Sequence, residues 1–147
     1  LPTYETLFIT LPTLTDEEEK ATVAAIVQTL ADNGGQLVAA ERMGRRRLAY
    51  PIRKFDEGVY QRLLYDAPPQ LPRELERRMR ISDRILRHLT VRLEEDWAEA
   101  AKQQAVRDRE AREAAELARE AAEPAAQGAE AAEEPSEAEG ETANEAE

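Results

Sequence analysis

The chain has 147 residues, no cysteine and a formal net charge of -11 at pH 7. Its length suits one domain of ordinary size rather than two, and the missing cysteine excludes disulfides, thiolate zinc sites and a cysteine nucleophile. Its longest apolar runs, such as TLFITL and LTVRL, fall far short of the roughly 20 residues that span a bilayer, and no signal-peptide pattern opens it, so a soluble cytoplasmic protein is expected.

In chain order, YETLFIT (4–10) alternates with period two and reads as a strand, with Leu7 and Ile9 on one face and Tyr4, Thr6 and Phe8 on the other. Thr15 and Glu18 have capping-box spacing. Val23, Ile26, Val27 and Leu30 then recur at helical spacing up to a stop at Asn33-Gly34-Gly35. A second strand is expected over about 36–48, with Gly44 marking a bulge. Pro51 and FDEG (55–58) read as the bend of a hairpin into VYQRLLY (59–65), where Val59, Leu63 and Tyr65 oppose Tyr60, Arg62 and Leu64. A helix from Pro72 places Leu71, Leu75 and Met79 on one stripe. ILRHLTVRL (85–93) is the last strand, with Ile85, Leu89, Val91 and Leu93 assigned to one face.

This order, βαββαβ, predicts a ferredoxin-like α+β fold: a four-stranded antiparallel sheet with two helices on one face. The opposite face is then uncovered, carrying Tyr4, Phe8, Tyr60 and Leu64, which is apolar enough to call for a partner. The domain is expected to end near Trp97. Residues 98–147 form an acidic tail in which Ala and Glu supply 32 of 50 residues. Its part to about residue 123 has high helix propensity, and beyond Pro124 the composition argues for disorder.

The charge is segregated. Residues 1–97 carry 15 Lys/Arg against 16 Asp/Glu, whereas the tail carries 5 against 15. Within the body, residues 41–92 hold 14 basic and 7 acidic side chains, so an anion-binding region sits inside an acidic chain. A charge run on a hairpin is often only a solvated edge. Against that stand the preference for Arg over Lys, a second basic cluster between residues 73 and 92, and the interleaved Tyr50 and Phe55. Arg forks bind phosphate bidentately, so a structured RNA backbone fits. The tail's charge is expected to keep the free protein soluble and to screen the basic face from wrong RNA. The lone His88, the first-turn carboxylates Glu17, Glu18 and Glu19, and the lack of a glycine-rich phosphate loop give no support for catalysis, a metal or a cofactor.

GRRRLAYPIR (44–53) resembles the signature of the bacterial small-subunit ribosomal protein S-six family: a Gly, a variable residue, a basic one, a polar or basic one, then Leu-(Ser/Ala)-Tyr-x-Ile and a basic or small residue. Tyr4-Glu5 and RISDRI (80–85) add supporting matches, and the resemblance covers about residues 4–95. It implies a ferredoxin-like fold and a non-enzymatic role. It further implies binding of the central domain of small-subunit ribosomal RNA, at the platform, together with ribosomal protein S-eighteen. Carried onto this sequence, Arg45, Arg46, Arg47, Arg53 and Lys54 become RNA-contact candidates, joined by Arg80, Arg84 and Arg87. Leu48, Tyr50 and Ile52 become packing or partner-surface residues, and Tyr4, Phe8, Tyr60 and Leu64 of the uncovered face stand beside them as partner-surface candidates. A single-stranded RNA module on the same fold is disfavoured because residues 58–65 lack the Gly-(Phe/Tyr)-(Gly/Ala)-Phe core of that motif. A small phosphatase on this scaffold lacks its phosphate loop, since TLPTL (10–14) does not supply one.

Overall fold

The computed structural model describes residues 1–130, with side chains to residue 123. Its elements are β1 (Thr3–Thr10), α1 (Asp16–Asp32), β2 (Gln36–Ile52), β3 (Phe55–Asp66), α2 (Leu71–Ile81), β4 (Ile85–Leu93) and α3 (Glu95–Glu130). The first six make the expected ferredoxin-like arrangement, an antiparallel sheet in the order β2-β3-β1-β4. Both halves of the capping box form at α1, where Thr15 Oγ1 accepts from the Glu18 amide and the Glu18 carboxylate accepts from the Thr15 amide.

Ile26 and Leu30 of α1 and Leu71, Leu75 and Met79 of α2 close over one sheet face to form the core. That face is lined by Tyr4 and Phe8 of β1, Leu63 and Tyr65 of β3, and Ile85 of β4. The alternation in β1 is therefore real, but its sense is opposite to the expected one. Tyr4 and Phe8 lie under the helices, and Leu7 and Ile9 face away. The reason is that β1 is a central strand with apolar residues on both faces, so alternation defines two sets without saying which is inside. Register decides it: Tyr4 stands opposite Tyr65, and Thr6 Oγ1 lies 2.9 Å from the buried Tyr65 hydroxyl and 2.9 Å from Thr90 Oγ1. Burial raises the Tyr65 pKa, the hydrogen bonds from Thr6 and Thr90 opposing it.

In β4 the expected single stripe is broken. The register with β1 shifts between Ile9 and Thr10, which pair with Arg87 and Ile85 respectively, and the extra residue turns Ile85 inward. Ile85 is 2% exposed, whereas Leu89 at 63% and Val91 at 43% stand on the outer face. The hairpin also bends later than expected. Strand β2 runs on through Pro51 to Ile52, and the turn is made by Arg53 and Lys54 alone. Proline is tolerated because β2 is an edge strand. Gly44, at φ +93°, does coincide with a register shift, as a bulge glycine should.

The compact unit extends to Val106, past the boundary expected at residue 97. Trp97 is exposed, but Ala98 is buried and Lys102 forms a 2.9 Å ion pair with Asp66. Asp66 also accepts from the Thr3 hydroxyl. Burial alone would raise its pKa, and these two partners outweigh that and lower it. The second unit begins at Arg107; its helical residues are exposed through residue 123, as the tail composition leads one to expect. The helix runs through Pro124 to Glu130 rather than stopping there, and the remainder of the segment expected to be disordered lies outside the described residues. Among the described residues no helix is long and apolar enough to cross a membrane.

Candidate nucleic-acid interface

The antiparallel topology delivers two basic clusters, separated in sequence, to one end of the domain. β1 ends at Thr10, opposite Val59 near the start of β3 and Ile85 at the start of β4. The hairpin tip projects from this end, and the last turn of α2, just before β4, closes beside it. Arg45, Arg46, Arg47, Arg53 and Lys54 arrive on the hairpin, and Arg80, Arg84 and Arg87 arrive on the α2–β4 passage. All eight are exposed. The loop after β1 ties the two groups together: Arg45 Nη2 donates to the Pro12 carbonyl at 2.7 Å, and the Leu11 amide donates to the Arg84 carbonyl at 3.0 Å.

Alternation on the hairpin splits the arginine triplet between two sides. Arg45 and Arg47 pair with Val59 and Glu57, and with Lys54, Pro12, Thr13, Phe55, Asp56 and Glu57 they line a cleft of about 470 Å³. Arg46 pairs with Gly58 on the opposite side, and its guanidinium carbon lies 5.9 Å from the centroid of the Tyr60 ring. Arg87 is placed likewise, 5.6 Å from the Tyr50 ring centroid. Each stack is a cation–π contact that fixes an otherwise mobile guanidinium. Arg80 has no ion pair among the described residues, where the Arg84 guanidinium makes only a long 3.5 Å contact with the Glu18 carbonyl.

The tip is strained. Arg53 and Lys54 have φ of 49° and 67°, both in the left-handed region. Two such residues in a two-residue turn define the mirror-image hairpin turn, which Asn-Gly fills at least cost, and an ordinary side chain costs about 1–2 kcal/mol there. Two adjacent cations are thus held at the tip against both backbone preference and mutual repulsion.

The sheet face turned away from α1 and α2 presents Leu7 and Ile9 of β1, Tyr60 of β3, and Leu89 and Val91 of β4. Of the expected partner-surface residues, Tyr60 lies on this face, half-buried, and Tyr50 is exposed beside it. Tyr4 and Phe8 do not, being part of the core for the register reason given above. Leu64 belongs to this face by register but is fully buried, at the end where Lys102 of α3 reaches Asp66. Leu48 is 9% exposed, tucked toward Gly58.

Sequence reasoning missed two charged clusters, since each joins residues remote in the chain. On the outer face Arg62 pairs with Glu5 at 3.0 Å and Glu41 at 3.4 Å, bridging three strands. Burial would lower the Arg62 pKa, but the two carboxylates outweigh it and raise it. On the helix side the buried Glu19 accepts from Arg42 Nε at 2.6 Å and from Gln61 Nε2 at 2.7 Å. Both follow from register, which the sequence patterns do not fix.

Comparisons with known proteins bear on the family and the fold. The family model for ribosomal protein S6 matches residues 3–92. The small ribosomal subunit protein bS6 of Nitratiruptor sp. is 48% identical over 91 residues, covering 62% of this chain and 71% of that one. The corresponding protein of Acidobacterium capsulatum is 42% identical over 104 residues, covering 71% and 74%. The crystal structure of 30S ribosomal protein S6 from Thermotoga maritima matches with a TM-score of 0.63 at 32% identity, over 70% of this chain and 97% of that one. These relatives are ribosomal proteins rather than enzymes, in keeping with the expected non-enzymatic role. By the match across its whole βαββαβ body, this chain belongs to the ribosomal protein S6 family.

Proposed function

We propose that the chain is a structural component of the small ribosomal subunit in the bacterial cytoplasm. It binds the central domain of small-subunit ribosomal RNA, at the platform, through the basic end of its domain. Ribosomal protein S-eighteen pairs with it on the outer sheet face. The observation that carries this reading is the gathering of two sequence-distant arginine clusters at one end. Eight exposed cations there suit phosphate contacts, which set position without reading bases. The outer face supports the protein partner, because Leu89 and Val91 are exposed beside Leu7 and Ile9. Base stacking on this face is disfavoured, since Arg46 and Arg87 already lie over Tyr60 and Tyr50. The test is RNA binding across a salt series, with and without the partner. Affinity should fall steeply with salt, and reversal of Arg46, Arg47 and Arg87 to Glu should abolish most of it. A flat salt response, or wild-type affinity in the reversed variant, rejects the reading.

A further inference from the structure

The cations at the hairpin tip are not equivalent. Arg45 is committed: it donates to the Pro12 carbonyl at 2.7 Å and lies 3.5 Å from Glu57, so its charge is matched and its fork joins the hairpin to the loop after β1. Arg47 and Lys54 line the same cleft without an ion-pair partner among the described residues. Asp56 also lines it, and tempers the positive potential without pairing. Lys54 is held there by a left-handed backbone that a glycine would adopt with less strain.

We infer that the cleft between the hairpin tip and the loop after β1 is a clamp for RNA-backbone phosphate, in which Arg47 and Lys54 make the contacts and Arg45 is a positioning residue. The inference rests on the RNA-binding reading above and divides its labour. Arg47 offers a planar fork suited to two phosphate oxygens, and Lys54 a point charge from the turn. Arg45 fixes the distance between the hairpin and Pro12, and so the width of the cleft. Asp56 limits retention of anions that engage only one of the two cations.

The test uses the full chain and, as probe, a short RNA hairpin of arbitrary sequence, because phosphate contacts are independent of sequence. Binding is measured across a potassium chloride series, with melting temperature recorded for each variant. Arg47→Gln and Lys54→Gln should each reduce the logarithmic salt slope by about one, the value for a lost phosphate contact. Lys54→Gly should lose the same slope while keeping or raising the melting temperature, which separates charge loss from misfolding. Arg45→Gln should weaken binding several-fold at unchanged slope, with partial recovery in Arg45→Lys, whose ammonium can still donate to Pro12. Asp56→Asn should tighten binding. If Arg47→Gln and Lys54→Gly keep the wild-type slope while Arg84 or Arg87 variants lower it, the clamp is overturned and RNA binding stands. An equal slope loss in Arg45→Gln and Arg47→Gln overturns the positioning role. Absence of salt-dependent binding by the wild type overturns the clamp and the RNA-binding reading together.

Discussion

The guanidinium of Arg87 lies over the ring of Tyr50, 5.6 Å from its centroid, although these residues belong to β4 and β2, the two opposite edges of the sheet. Contact between opposite edges requires the outer hairpin to lean across the end of β1 toward β4. The pair thus closes one end of the outer face. It couples the hairpin, which carries five of the candidate cations, to the strand that carries another. Replacing both residues by Ala should cost less than the sum of the single changes, with a coupling of about 0.5–1 kcal/mol, as for a partly exposed cation–π contact. Urea unfolding of the four proteins measures it, and additive effects would show that the stack contributes nothing.

The lean depends on Gly58. A Cβ there would lie 2.3 Å from Ile9 Cγ2, so any larger residue must displace the Ile9 side chain or push the hairpin off β1. Gly58→Ala should destabilise the domain by about 1–3 kcal/mol, the usual cost of overpacking. Ile9→Ala in the same chain should recover part of the loss by vacating the space. Thermal unfolding checks this, and a Gly58→Ala protein as stable as the wild type would mean that the hairpin gives way freely.

Gly58 also explains what was and was not legible in the sequence. The run Asp56-Glu57-Gly58 has the composition of a turn, yet it lies inside β3, and its glycine serves a close approach between strands. The true turn, Arg53-Lys54, has no turn composition at all. Local patterns were sufficient for the element order, the α1 capping box and the Leu71, Leu75, Met79 stripe, because each is set within one or two helical turns. They misassigned Tyr4 and Phe8, and they missed the inward turn of Ile85, because those depend on which face of a doubly apolar strand the helices cover and on a bulge. The basic residues were legible as a composition anomaly. Their division into committed Arg45, stacked Arg46 and unpaired Arg47 required the cross-strand register.

The buried Glu19 offers a contrast between two partners of one carboxylate. Both bonds end on the same oxygen, but Gln61 is 4% exposed whereas the Arg42 side chain is 54% exposed. Removing Glu19 strands the buried Gln61 amide, whereas removing Arg42 leaves the Glu19 carboxylate its bond from Gln61 and opens to water the half-exposed space that the guanidinium vacates. Glu19→Ala should therefore cost about 1–3 kcal/mol, and Arg42→Ala no more than about 1 kcal/mol. Chemical denaturation of the two variants gives the comparison, and equal losses would contradict it.

Acid should act on α2 through Glu74. Hydrogen bonds from Arg77 and then Arg78 hold its carboxyl down at about 2, against an ordinary 4.5. The distances are 2.7 Å from Arg77 Nη2 and 3.1 Å from Arg78 Nε, both to Oε1. Because the folded pKa is depressed, the unfolded chain takes up the proton first as pH falls. The stabilisation is therefore complete above the unfolded value of 4.5 and is lost as pH drops from there toward 2. The carboxylate is partly exposed and both arginines are exposed, so salt should shrink the effect as well. Comparing wild type with Glu74→Gln by urea unfolding at several pH values should show a stability difference that is constant near neutrality and fades through this window. A carboxyl resonance of Glu74 titrating near 4.5 in the folded protein would show that the arginine fork does not hold in solution.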